Sequence, residues 1–248
     1  MKDVVVSVHQ PNFQPWLRLL DKILASDVYV AFDTVQYTKS EYHARQKIKT
    51  PTGPMWLSVP VRHVRGVQQL IQDVRIENAQ PFRRQHLRRL RLSYGSMPYF
   101  DEIYPILEEV YGRDQEKLAD LNLDIIKALC EYLETPVRIV RASTLPHSGD
   151  TTQRLVQLVQ AVGGTTHLTS TYGTERRYVD WTVMHRAGLR VEAQMFEHPV
   201  YEQIGDEFIA NLAAIDMLFS CGTETAEILA GRRRHEEIDV LSAVGSHA

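Results

Sequence analysis

Residues 4–8, Val-Val-Val-Ser-Val, are β-favouring and almost uniformly apolar, and they stop abruptly at His9-Gln10-Pro11-Asn12. A run this continuous fits a strand covered on both faces, because a strand with one wet face alternates apolar and polar residues. Pro11 and Pro15 end the extended run and fix a turn, after which Trp16, Leu19, Leu20, Ile23 and Leu24 recur at helical spacing. Residues 27–33 form a second continuous apolar stretch that ends in Asp33. Strand, helix and strand in this order make a right-handed crossover between parallel strands. Such a unit commits the chain to an α/β fold with helices on both faces of a sheet.

The remainder keeps that rhythm. Pro51, Gly53 and Pro54 mark a turn before a strand over 55–61, and Leu70, Ile71, Val74 and Ile76 read as a further strand, regular or bulged, within 69–77. Residues 81–133 change to a helical pattern, broken near Gly95-Ser96-Met97-Pro98 and at Gly112. Strands are expected at 137–140, 165–169 and 189–196, and helices at 151–162, 179–186 and 208–219. A charged run follows Gly231, and Gly245-Ser246-His247-Ala248 reads as a frayed end. No internal repeat, low-complexity tract or linker is visible. The expectation is one α/β domain over 1–248: a mostly parallel Rossmann-like sheet flanked by helices, with a helical insertion at 81–133 forming a subdomain.

Bulk properties narrow the function. A chain of 248 residues buries a substantial core, and 44% apolar with 24% charged residues is ordinary for a globular protein. A formal net charge of -3 argues against nucleic acid as the main partner, since neutralising phosphates calls for a basic balance. Residues 4–8 are too short for a signal-peptide core, and no stretch approaches the roughly 18 apolar residues of a membrane span. The chain therefore reads as cytoplasmic, with no membrane partner. Cys130 and Cys221 are too few and too ill-spaced for a disulfide framework or a thiolate zinc site, and read as small core residues.

Ligands of open parallel sheets bind outside the carboxyl ends of the strands. His9 follows one such end, where an imidazole exchanges a proton near neutral pH or donates to an anion, although a structural histidine fixing the turn is the plainer reading. The neighbouring Gln10 and Asn12 strengthen the functional one. Beyond the second strand come Asp33, Gln36, Tyr37, Lys39, Arg45, Lys47 and Lys49. Arg forks a carboxylate or phosphate and Lys adds a compact charge, so an anionic ligand fits here, whereas a solvated basic hairpin is the bland alternative. Gln36 and Tyr37 between acid and base favour a polar small-molecule pocket. A third strand end delivers Glu197, His198, Tyr201 and Gln203, which would share the edge with His9 if both strands lie in one parallel sheet.

Other chemistries find less support. Walker A, GxGxxG, HExxH and GxSxG patterns are all absent, so glycine-loop phosphate binding, a zinc site and a serine nucleophile elbow are not indicated, and no cofactor or metal is expected. The arginine-rich stretch Arg83-Arg84-Gln85-His86-Leu87-Arg88-Arg89-Leu90-Arg91 would suit nucleic acid or an acidic carrier protein, but reads better as a solvated helix face with Leu87 and Leu90 packed.

Several blocks together resemble the WbqC-like family, bacterial proteins often encoded with sugar and antibiotic biosynthesis genes. The first block is His9-Gln10-Pro11-Asn12 with Pro15-Trp16, Asp21-Lys22-Ile23, Asp33, Val35-Gln36-Tyr37 and Lys39. Arg45, Lys47-Ile48-Lys49-Thr50, Trp56-Leu57 and Pro60-Val61 follow, and the last block is His198-Pro199-Val200-Tyr201 with Gln203, Phe208, residues 212–216, Leu218 and Gly222. One departure is Thr169-Ser170-Thr171, where the family usually has a small Ser-Gly turn that lets backbone approach a ligand. The resemblance implies a transferase acting in bacterial glycan (O-antigen) or specialised-metabolite (antibiotic) biosynthesis. The expected reaction is amide-forming acyl or aminoacyl transfer from a carrier-protein thioester to an amine, a pre-activated donor that needs no ATP motif. His9 would be the base, His198 or Arg45 would stabilise the oxyanion, and Gln10, Asn12, Asp33, Gln36, Tyr37, Lys39, Lys49, Tyr201 and Gln203 would bind substrate. The alternatives are a nucleotidyl or adenylyl transferase of HxGH-like layout, which lacks the signature Gly-His after His9, and a non-catalytic module that binds a sugar nucleotide or a carrier.

Overall fold

The computed structural model describes residues 3–62, 67–170 and 179–238. The chain begins β1 (Val5–His9), α1 (Leu17–Leu24), β2 (Val28–Ala31), and β1 pairs β2 in parallel from Val6↔Val28 to His9↔Ala31. Seven of the eight α1 residues, Leu17, Leu19, Leu20, Asp21, Lys22, Ile23 and Leu24, are buried, so this crossover helix is amphipathic yet enclosed on its polar side as well. An antiparallel hairpin follows, β3 (Arg45–Thr50) with β4 (Gly53–Ser58), forming a separate two-stranded sheet. Arg45, Lys47 and Lys49 thus sit on a hairpin strand of their own rather than on the end of β2.

Three helices enter before the main sheet resumes: α2 (Phe82–Tyr94), α3 (Phe100–Gly112) and α4 (Leu118–Tyr132). Then come β5 (Arg138–Arg141), α5 (Thr151–Ala161), β6 (Thr166–Ser170), α6 (Trp181–Arg186), β7 (Arg190–Gln194), α7 (Ile215–Cys221), α8 (Glu224–Arg232) and β8 (His235–Glu237). The six-stranded sheet has the order β5-β2-β1-β6-β7-β8, parallel except at β8. The fold is α/β with a mostly parallel sheet. Its order runs outward from β1 in one direction and from β6 in the other, so the topological switch point lies between the carboxyl ends of β1 and β6, beside His9.

Two apolar clusters cover the two faces. The larger holds Phe13, Leu20 and Ile23 with Tyr94, Leu107, Leu121, Ile126 and Phe219, tying α1, the α2–α4 insertion and α7 together. The smaller holds Val6, Val8, Val28 and Val30 with Leu155, Val159, Trp181 and Met184 of α5 and α6. Alternate β2 residues face opposite cores, Val28 and Val30 in the smaller and Tyr29 and Ala31 in the larger, whereas β1 turns Val6 and Val8 to the smaller core and buries the polar Ser7 between them. Among the described residues no helix is long and apolar enough to cross a membrane.

Two segments differ from the sequence reading. Residues 69–77 hold a single 3-10 turn, Ile71–Asp73, between isolated bridges Gln36↔Leu70, Val61↔Ile76 and Arg75↔Lys117, because neighbouring segments take its backbone one residue at a time. In 208–219 only the second half is helical. Ala213 N–H donates to Lys47 O (2.8 Å) and Ala214 N–H to Pro15 O (2.8 Å), so this backbone is bound to the hairpin and the turn instead of to a helix. The α8 helix within 224–232 was not foreseen, the residue Thr171 of the family departure and residues 245–248 lie outside the described residues.

Candidate functional site

The turn after β1 is held from three sides. Tyr29 Oη, from β2, donates to the carbonyls of His9 (3.1 Å) and Gln10 (3.3 Å). Asn122 of α4, fully buried, donates from Nδ2 to Pro11 O and to His43 O, both at 2.8 Å. Phe13 N–H donates to Tyr42 O (3.0 Å). Within this frame His9 Nδ1 lies 2.9 Å from Gln10 O, so Nδ1 carries the proton and Nε2 the lone pair of the neutral ring. Asn12 is buried.

From His9 a row of aromatic rings crosses to the hairpin. His9 meets Trp16 edge-on (centroids 5.7 Å), Trp16 meets Tyr42 (5.1 Å), and Tyr42 tilts against Trp56 of β4 (6.1 Å). Arg45 lies over the Trp56 ring at 4.5 Å and Lys47 at 5.1 Å, which gives cation–π support to both. Beside this row is a cleft of about 330 Å³ lined by Tyr37, Lys39, Ala44, Arg45, Val59 and Gln80, among others. Burial raises the Tyr37 hydroxyl above its ordinary range, while nearby Arg45 opposes the shift. Gln36, exposed, bridges Leu70, and Tyr37 N–H donates to Gln69 O (2.8 Å).

Behind the cleft stands His43, 1% exposed. Its Nδ1 accepts the Thr38 N–H (3.2 Å), and its Nε2 lies 2.7 Å from Gln10 Oε1. Burial lowers its pKa from 6.5 to about 4, so the ring is neutral. The acceptor role at Nδ1 then places the proton on Nε2, which donates to Gln10.

A second polar group forms around Asp216 of α7. Its carboxylate accepts from Tyr94 Oη (2.7 Å), Tyr201 Oη (2.9 Å) and Gln203 Nε2 (2.7 Å). Burial raises its pKa above the ordinary value and these donors oppose the rise. Lys49 Nζ donates to Glu207 O and to Gln203 Oε1 (3.4 Å), while Lys49 N–H reaches Tyr94 Oη (2.9 Å). Lys49, Tyr201 and Gln203 therefore converge, but in a buried network that ties residues 201–209 to β3 and α7. His198 belongs to the same loop: Nδ1 donates to Pro199 O (2.8 Å), Nε2 accepts the Asn211 N–H (3.2 Å), and burial lowers its pKa.

Of the residues singled out from sequence, His9, Gln10, Tyr37, Lys39 and Arg45 thus line or adjoin one continuous surface. Asp33 is fully buried, and its two oxygens accept the Ser143 N–H (2.9 Å) and hydroxyl (2.8 Å), which ties the turn after β5 to the end of β2. His43, Tyr42, Asn122 and Asp216 were missed, although Asp216 interrupts an apolar helical pattern and could have been flagged by that alone. Among the described residues no group of three or more His, Cys, Asp or Glu side chains is arranged to hold a metal ion.

Fold and site together define an α/β protein with polar groups gathered beside a parallel-sheet switch point. The sequence profile of the WbqC-like protein family matches residues 10–228, and the chain belongs to this family. It is 29% identical over 226 residues to a Mycobacterium tuberculosis protein named Uncharacterized protein Rv1507c, an alignment covering 90% of this chain and 96% of that one. No solved structure matches the chain.

Proposed function

We propose that this protein is a transferase that forms an amide, moving an acyl or aminoacyl group from a carrier-protein thioester to an amine in bacterial glycan or specialised-metabolite biosynthesis. The observation that carries this reading is the row His9, Trp16, Tyr42 and Trp56 ending beneath Arg45 and Lys47. It sets the His9 imidazole at one end of an aromatic wall and cations at the other. The amine nitrogen attacks the thioester carbonyl as His9 Nε2 takes its proton; the C–N bond forms and the C–S bond breaks. The departing thiolate receives that proton from His9. Arg45, at the far end of the row, binds an anionic part of the donor or acceptor away from the reacting carbonyl. His198 serves better as a brace for residues 198–211, since both its ring nitrogens are engaged by backbone.

Strand order favours a second reading. A doubly wound sheet with a histidine at the switch point is also the frame of nucleotidyl transfer, an analogy of fold rather than of motif. Incubation with acyl or aminoacyl carrier thioesters and an amino sugar, with and without ATP and Mg²⁺, separates the two. Amide formed without ATP supports acyl transfer, and product that requires ATP with release of pyrophosphate overturns it. His9→Ala is expected to lower the rate by about a hundred- to ten-thousand-fold with ligand affinity largely kept. Weakened binding with no turnover in the parent protein would point to a binding module.

A further inference from the structure

We propose that His43 is a positioning residue whose Nε2–H, donated to Gln10 Oε1, locks the Gln10 carboxamide so that its NH₂ group is presented beside the switch point as a preset donor to a substrate oxygen. A carboxamide has two near-isosteric orientations, one offering an acceptor and the other two N–H groups. A partner that can only donate removes the ambiguity. His43 is such a partner, because Thr38 N–H occupies its Nδ1 and so holds the proton on Nε2.

Three further features make the arrangement a built one. Asn122 grips Pro11 O and His43 O with one amide group, which fixes the distance between the turn and the imidazole. Tyr29 donates to the Gln10 carbonyl and so holds its backbone as well (3.3 Å). Tyr37 packs against the His43 ring, with centroids 5.6 Å apart, and so connects the pair to the wall of the cleft. Among the described residues the Gln10 NH₂ group has no hydrogen-bond partner, whereas Gln10 Oε1 and both ring nitrogens of His43 are engaged. Donors fixed before a ligand arrives stabilise developing negative charge without reorganising, which is the property an oxyanion or a carbonyl acceptor needs. The substrate class is therefore one that presents a carbonyl or anionic oxygen within reach of His9. The reacting carbonyl of a thioester qualifies, an assignment that rests on the amide-forming reading; the locked carboxamide itself does not.

Two measurements test the pair separately from the reaction. In the free protein, long-range ¹H–¹⁵N correlation of the histidine rings is expected to show His43 as the Nε2–H tautomer at pH 7, with its resonances displaced in Gln10→Ala. The Nδ1–H tautomer, or no response to Gln10→Ala, overturns the proposal. For function, S-glycyl pantetheine and glucosamine serve as probes. His43→Leu, which keeps the volume but removes the donor, is expected to lower kcat at least tenfold with KM within about twofold, on the scale of losing one oxyanion donor. His43→Gln, whose Nε2 stands near the position of the imidazole Nε2, is expected to recover most of that loss. Thermal melts of both variants confirm that they fold. Equal rates for His43→Leu and the parent, or for the Leu and Gln variants, overturn the proposal. If the parent forms no amide, the reaction reading fails, and the tautomer measurement alone decides the positioning role.

Discussion

Asp216 is the residue whose setting contrasts most with its sequence context. Within Leu212, Ala213, Ala214, Ile215 and Met217 it is a single acid in an apolar helical run, yet it collects hydroxyls from Tyr94, 122 positions away, and from Tyr201. A buried carboxylate keeps its charge only while enough donors replace water. Tyr201→Phe removes one of them from Oδ2 while preserving the ring contacts with His198 and Phe208. The expected loss is about 1.5–3 kcal/mol of unfolding free energy, the range for a hydrogen bond to a charged group, read from urea denaturation. An unchanged midpoint would show that the hydroxyl contributes nothing to the network. His43 poses the same problem for sequence reading: flanked by Tyr42 and Ala44 it carries no pattern, and its meaning lies in Gln10, 33 residues earlier.

Among the described elements, α5 is the one with a reciprocal capping box written in its sequence. Asp150 accepts the Gln153 N–H (2.9 Å), and the Gln153 side chain accepts the Asp150 N–H (3.0 Å), a reciprocal capping box. Asp150→Ala is expected to cost about 1 kcal/mol in a urea melt and Asp150→Asn much less, because Asn still accepts the Gln153 N–H. Legibility at this scale follows the locality of the forces. The strands β1, β2, β6 and β7 and the breaks between α2, α3 and α4 could be read because continuous burial and turn residues mark them within a few positions. Residues 208–214 could not. Their apolar spacing suits a helix, but carbonyls of Lys47 and Pro15 hold the N–H groups of Ala213 and Ala214, and Asn211 adopts φ 61. The candidate site divides in the same way: the end of β1 predicts His9 and Gln10, whereas the ring row to Arg45 depends on a hairpin that packs from outside the main sheet.

The whole molecule carries its acid sensitivity in buried imidazoles. Burial lowers both His43 and His86 from 6.5 to about 4; His86, which sits between Ser58 O (3.2 Å) and the Tyr111 hydroxyl (3.2 Å), stays neutral although the Ser58 carbonyl opposes the shift. Below pH 6.5 the unfolded chain takes up protons that these folded rings refuse. Their contribution is therefore complete above that value and is lost as pH falls towards 4, by up to about 3 kcal/mol for each ring. Asp216, raised by burial, acts in the opposite sense, and Asp3, held at about 2 chiefly by Thr165, titrates below this window. Urea midpoints are expected to fall steadily from pH 7 to pH 4 and to fall about half as far in His86→Gln, which leaves His43 in place; a flat profile in the parent protein would contradict the neutral burial of both rings. The sheet is also finished unequally at its two sides. On one side β5 ends the parallel ladder with Arg138 and Arg141, the latter paired to Asp120, whereas on the other β8 turns back against β7 with His235, Glu236 and Glu237. A reversed strand of charged residues makes a poor template for a further strand, so this short segment acts as a selvedge that keeps copies of the sheet from knitting into fibrils.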